Sequence, residues 1–246
     1  MKGEPHAIPR VVVRDFTSFD PLPGRHELPS DVIHVWRCSV PRDPGAINEL
    51  VGLLAKDELT RAKRFRFEAD RNEFVVTRGT LRTLLASYVC ATATDLAFQY
   101  SEFGRPTLGG DSPIEFNVSH SSGMLLLAFA RNRKIGVDVE RIRRDFSTTA
   151  IAEQFFSEHE RSELDKLPVA HRHEAFFRCW TRKEAFIKAL GEGLSHPLHQ
   201  FDVALQEDAN PILLATRPDA REASRWELRN VAVADGFTAT VAAELP

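Results

Sequence analysis

The chain has 246 residues, 43% of them hydrophobic and 27% charged, enough to bury a core in one large domain or two small ones. Its formal net charge of -3 argues against a general nucleic-acid binder, which needs a clear basic excess. Three widely spaced cysteines without metal-ligand spacing, and no apolar run long enough for a bilayer, predict a cytoplasmic protein with reduced thiols and no membrane partner.

Residues 1–30 hold the prolines Pro5, Pro9, Pro21, Pro23 and Pro29 and read as an extended lead-in wrapped on the body. From there the chain runs through one pattern twice. IHVWRC (33–38) alternates as a half-buried strand does, and IGVDVE (135–140) repeats it at an offset of 102. LLAKDELTR (53–61) returns as FFSEHERSE (155–163) at the same offset, each with an acid, Glu58 or Glu160, in a short polar helix start. TRGTLRTLL (77–85) returns as TRKEAFIKA (181–189) at 104. The hairpin NVSHSSGMLLLAFA (117–130) returns as NVAVADGFTATVAA (230–243) at 113, with Gly123 and Gly236 in the turns. The expected fold is α+β, a pseudo-dimer of two similar halves over 31–131 and 132–246, each with a strand, two main helices and a terminal hairpin.

The ionisable residues occur in one copy only. Opposite Asp138 stands Trp36, opposite Glu140 stands Cys38, and at the 104 offset Glu184 faces Thr80 and Lys188 faces Leu84. One copy therefore reads as scaffold and the other as site. Asp138 and Glu140 share a strand face about 7 Å apart, where two carboxylates repel by roughly 2 kcal/mol at an effective dielectric of 20. Glu184 and Lys188 share a face of the helix in FRCWTRKEAFIKALGEGL (177–194), which should end at Gly191. The bland alternatives are a screened surface pair and an i,i+4 helix pair. The sharper reading joins Asp138, Glu140 and Glu184 into an oxygen site for Mg²⁺, with Lys188 as a point charge beside substrate phosphates.

Candidate donors for a phosphorylated ligand are Arg61 in RAKRFR (61–66), a run that taken alone is more often a solvated helix face, Arg105 in the FGRP turn (103–106), and Ser119 with His120 in FNVSHSSG, where His120 is either a phosphate donor or a hydrogen-bonded turn histidine. Ser119 and His120 do not form a hydrolase dyad, because there is no G-x-S-x-G elbow and adjacent strand residues face opposite ways.

In order, FGRP, FNVSHS, IGVDVE, FFS.HE, FFRCWTRKEAFIKALGEGLSHPL and a closing FDV closely resemble the longer, single-chain 4′-phosphopantetheinyl transferases of the surfactin-synthetase-activating (Sfp-like) type, from about Leu53 to Val203. The resemblance implies a cleft between the halves that holds coenzyme A, whose phosphopantetheine arm passes to a serine of an apo carrier protein as adenosine 3′,5′-bisphosphate leaves. It implies that Asp138, Glu140 and Glu184 hold Mg²⁺, that Lys188 lies beside the diphosphate, and that Asp138, Glu184 and Lys188 form the catalytic set. Ser119, His120 and Arg105 match nucleotide contacts, and Arg61 and Arg78 match residues that meet the 3′-phosphate. Arg105 stands where many relatives have lysine, and Glu58 departs from a basic residue in a relative. A monomer acting on carriers of fatty-acid, polyketide or nonribosomal-peptide synthases is expected. The rival readings are a non-catalytic binder of coenzyme A or of a carrier protein, and a metal-dependent nuclease. The nuclease is disfavoured because such enzymes set the last acid and lysine two apart on a strand, not four apart on a helix.

Overall fold

The proline-rich lead-in contributes a strand: β1 (Arg10–Asp15) runs parallel to β2 (Val32–Ser39). This computed structural model describes residues 8–16, 26–41, 43–207 and 213–246, so residues 1–7 and 17–25 of the lead-in lie outside the described residues. After β2 the first half continues through α1 (Pro44–Val51), α2 (Lys56–Ala62), α3 (Glu68–Val89), β3 (Phe98–Tyr100), β4 (Pro106–Leu108), β5 (Ile114–Ser121) and β6 (Met124–Arg131). The second half repeats the order with β7 (Ile135–Arg141), α4 (Thr149–Phe155), α5 (Glu158–Lys166), α6 (Val169–Leu190), β8 (Phe201–Val203), β9 (Leu213–Thr216), β10 (Trp226–Asn230) and β11 (Phe237–Glu244). Two sheets result, in the orders β1-β2-β6-β5 and β10-β11-β7, with two small ribbons, β3-β4 and β8-β9.

Alternation along each strand decides what is buried where. Ile33 and Val35 of β2, Leu126 and Ala128 of β6, Val137 and Val139 of β7 and Val241 of β11 form one apolar layer shared by both sheets. Their neighbours point the other way. Trp36, Leu125, Leu127 and Phe129 join the core under α3, and Ala242 and Leu228 join the core under α6. The two turns that reverse the terminal hairpins place Gly123 and Gly236 at φ +83 and +81, a region that L side chains rarely adopt. Among the described residues no helix is long and apolar enough to cross a membrane.

The duplication extends to a buried ion pair. Glu58 near the start of α2 accepts the Ala55 N–H, and Glu160 near the start of α5 accepts the Ser157 N–H, as capping-box glutamates do. Each carboxylate is then met by the long helix. Arg78 and Arg82 lie 2.7 and 2.6 Å from Glu58, and Lys183 lies 2.7 Å from Glu160. Both long helices have 22 residues, and their ends, like Arg82 and Lys183, stand at an offset of 101. The sequence alignment at 104 is therefore slipped by one turn, and Thr83 and Ser87 replace Thr80 and Leu84 as the counterparts of Glu184 and Lys188. A three-residue slip keeps every residue on nearly the same helix face, so the apolar pattern does not resist it.

Candidate active site

The site begins with a missing side chain. With Val137 and Val139 in the shared apolar layer, β7 turns Gly136, Asp138 and Glu140 toward α6. A Cβ at Gly136 would overlap the backbone at Ala185 and Ala189, so only glycine lets α6 lie this close to the strand. That approach carries Glu184 and Lys188, one helical turn apart, to the carboxylates of β7.

Asp138 is 3% exposed. Its Oδ1 accepts from Lys188 Nζ at 2.7 Å and from Ser119 Oγ at 2.8 Å, while its Oδ2 is buried with no hydrogen-bond partner. Glu140 Oε2 accepts from Ser121 Oγ at 2.8 Å, and burial, then the charge of Asp138, raise its carboxyl above the ordinary value. Glu184 is pushed up to about 7, first by burial and then by Asp138, with Lys188 opposing. Three carboxylates thus share the field of one amine.

Among the described residues no three such side chains are drawn together into a closed metal centre. The donor set nevertheless fits a hard cation. The lone buried Oδ2 of Asp138 and the strained ionisation of Glu184 are both relieved by a positive charge, and carboxylate oxygens are the donors Mg²⁺ prefers.

Beside Lys188 opens a cleft of about 220 Å³ lined by Phe103, Arg105, Phe116, Val118 and Gly191. Arg105, held by the turn at Gly104, donates to the carbonyls of Lys188 at 3.1 Å, Ile135 at 3.3 Å and Phe116 at 3.4 Å. It therefore ties the end of α6 to β5 and β7, and burial lowers its pKa despite Glu115.

The structure brings together Asp138, Glu140, Glu184, Lys188 and Ser119, with Arg105 at the cleft wall. His120 faces away from Ser119 and is exposed, its Nδ1 3.4 Å from Glu73 Oε2. Arg61 is exposed, its guanidinium 5.2 Å from the Phe74 ring centre. Arg78 is buried, shares the Glu58 carboxylate with Arg82, donates to the Tyr100 hydroxyl and stacks over Phe98. Ser119 gives its hydroxyl proton to Asp138, while Lys188 and the Val139 N–H donate to its oxygen. Gly136 and Ser121 escaped the sequence reading. An isolated glycine inside an alternating strand was the available signal for the first. Ser121, two residues after Ser119 on the same face of a strand, was the signal for the second.

A family model described as "4′-phosphopantetheinyl transferase superfamily" matches residues 134–242, and one described as "4′-phosphopantetheinyl transferase, N-terminal" matches residues 42–132. The chain is 35% identical over 225 residues to the 4′-phosphopantetheinyl transferase HetI of Nostoc sp. (strain PCC 7120), covering 90% of this chain and 92% of that one. It is 28% identical over 158 residues to the 4′-phosphopantetheinyl transferase Sfp of Bacillus subtilis (strain 168), covering 64% and 69%. A crystal structure of Thermotoga maritima holo-[acyl-carrier-protein] synthase (AcpS) is similar at a TM-score of 0.35 and 22% identity, over 45% of this chain and 62% of that one. The match to HetI spans both halves at more than a third identity, and the two family models fall on those same halves; this chain belongs to the 4′-phosphopantetheinyl transferase superfamily.

Proposed function

We propose that this chain transfers the 4′-phosphopantetheine group of coenzyme A to a serine of an apo carrier protein and releases adenosine 3′,5′-bisphosphate. The observation that carries this reading is the buried Asp138, which holds Lys188 on one oxygen and leaves the other unpartnered beside a cleft walled by both halves. Asp138, Glu140 and Glu184 are the residues that would hold Mg²⁺, which when bound supplies positive charge to a diphosphate.

Phosphoryl transfer asks mainly for positioning and charge neutralisation. Lys188 Nζ, set between Asp138 and Ser119, supplies a fixed positive charge for the diphosphate and for the bisphosphate that leaves. The carrier serine oxygen attacks the pantetheine-side phosphorus, and the bond to the leaving phosphate breaks. Glu184, on the α6 face that meets β7, takes the serine proton. Arg105 holds the cleft wall in place, and its side chain, with those of His120 and Arg61, offers donors to the nucleotide end. A cytoplasmic monomer serving fatty-acid, polyketide or nonribosomal-peptide carriers is the setting this reading implies.

The test is incubation with coenzyme A, Mg²⁺ and a panel of apo carrier proteins, followed by intact-mass measurement. A mass gain of one phosphopantetheine arm on a carrier serine is expected. No gain on any carrier leaves a non-catalytic binder, and cleavage of plasmid under the same conditions would point to a nuclease.

A further inference from the structure

The two halves meet along β5 and β7, and the seam is made by side chains. Asn117, Ser119 and Ser121 occupy alternate positions of β5 and share one strand face. Asn117 Oδ1 accepts the Val137 N–H at 3.0 Å, Ser119 Oγ accepts the Val139 N–H at 3.3 Å, and Ser121 Oγ accepts the Arg141 N–H at 3.2 Å. These are the alternate amides of β7 that point away from its partner β11. Side-chain oxygens of the first half thus stand in for the carbonyls of a neighbouring strand.

The two serines differ from the asparagine in having a proton to give. Ser119 gives its proton to Asp138, and Ser121 gives its proton to Glu140, in each case the residue just before the amide it accepts from. At the asparagine position the corresponding residue is Gly136, which has no side chain to hold. We propose that Ser121 is a positioning residue for Glu140, as Ser119 is for Asp138. One hydroxyl fixes both the register of the halves and the direction of the carboxylate. The scaffold half, which holds no carboxylates on its own β2, would then act on the chemistry by aiming those of the other half. The inference deepens the function proposed above and rests on its reading of the carboxylates as cation ligands.

The test uses the full-length chain and an isosteric pair, Ser121→Thr and Ser121→Val, both suited to a strand. The readouts are Mn²⁺ affinity, from the electron paramagnetic resonance signal of free Mn²⁺, and the melting temperature. Ser121→Thr should bind Mn²⁺ within about twofold of the parent, whereas Ser121→Val should bind roughly tenfold more weakly or worse, the usual cost of losing an outer partner of a metal ligand. Asn117→Ala removes a seam bond without touching a carboxylate, so it should lower the melting temperature and leave Mn²⁺ affinity near the parent value. Equal Mn²⁺ affinity in the Thr and Val variants overturns the proposal. So does a loss in Asn117→Ala as large as that in Ser121→Val, because the effect would then belong to the seam alone. A parent chain that modifies carriers yet binds no Mn²⁺ or Mg²⁺ overturns the cation reading itself, a separate and distinguishable result.

Discussion

The same strand-and-long-helix unit occurs twice, and its two inner faces have opposite characters. On β2 the residues turned toward α3 are His34, Trp36 and Cys38; on β7 those turned toward α6 are Gly136, Asp138 and Glu140. In the scaffold half the Tyr88 hydroxyl meets His34 Nδ1 at 2.7 Å and Trp36 Nε1 at 2.8 Å, and the ring of Tyr88 lies 4.8 Å from that of Phe129. Bulk fills the space, and the Tyr88 hydroxyl serves both His34 and Trp36. In the other half a glycine replaces the imidazole, the helix drops onto the strand, and carboxylates replace the indole and the thiol. The two faces thus differ by volume absent at one position and carboxylates present at two.

The contrast is broken most severely by Asp138→Ala. Transfer to a carrier should fall roughly a thousandfold or more if the carboxylates hold a cation as proposed, since a bound cation supplies several kcal/mol of charge stabilisation. The circular dichroism spectrum should be unchanged, because Lys188 is partly exposed and can turn to water. Intact-mass time courses would measure the loss, and an active variant would sink the assignment of Asp138.

Next in size is the shared scaffold. Glu160→Ala strands Lys183 among buried groups, with both side chains of the pair fully buried. It should lower stability by about 3–5 kcal/mol, the usual cost of breaking a buried pair. Urea midpoints would show it, and a loss under about 1 kcal/mol would mean that the pair is not an essential part of the fold.

The two faces should also answer pH in opposite directions. Glu184 titrates near 7 in the folded chain against an ordinary 4.5, so between those values the folded state holds a proton that the unfolded chain has lost. Stability contributed there falls as pH rises from 4.5 to 7, by roughly 2–3 kcal/mol, and Glu184→Gln should flatten that limb. His34 is lowered to about 4 from 6.5, chiefly by burial, so the unfolded chain takes up its proton first. Stability contributed there is full above 6.5 and falls as pH drops toward 4, and His34→Gln should flatten the acid limb. Urea midpoints from pH 4 to 8 would separate the two, and identical profiles for parent and variants would refute both shifts.

The smallest expected effect on stability sharpens the comparison most. Gly136→Ala puts a methyl group where α6 lies and should cost about 1–3 kcal/mol as the helix backs off. Carrier modification should fall more than the stability loss explains, because Glu184 and Lys188 move with the helix. A variant that keeps full transfer would show that the close approach is not what assembles the site.

Much of this was legible in the residues. Alternation exposed β2 and β7, the helical period exposed α6, and Gly191 ended it at φ +83 as expected. The broken symmetry singled out Asp138, Glu140, Glu184 and Lys188, since a face that is acidic in one copy and aromatic in the other needs a reason. What stayed hidden depends on partners distant in sequence. Spacing does not show that Glu58, 20 residues away, is folded against Arg78. Nor does spacing show that the Ser119 hydroxyl meets Asp138 and Lys188. β1 was masked by the prolines around it, although RVVVRD is a short apolar run.

Only residues 132–134 join β6 to β7, with Asn132 in the left-handed region at φ 51 and Arg133 donating to carbonyls of Ser30 and Glu244. Three residues reach no more than about 11 Å. With so short a tether, β5 finds β7 of its own chain at an effective concentration that a second molecule in dilute solution does not match. Aiming the carboxylates is thereby made a first-order event, independent of how much protein the solution contains.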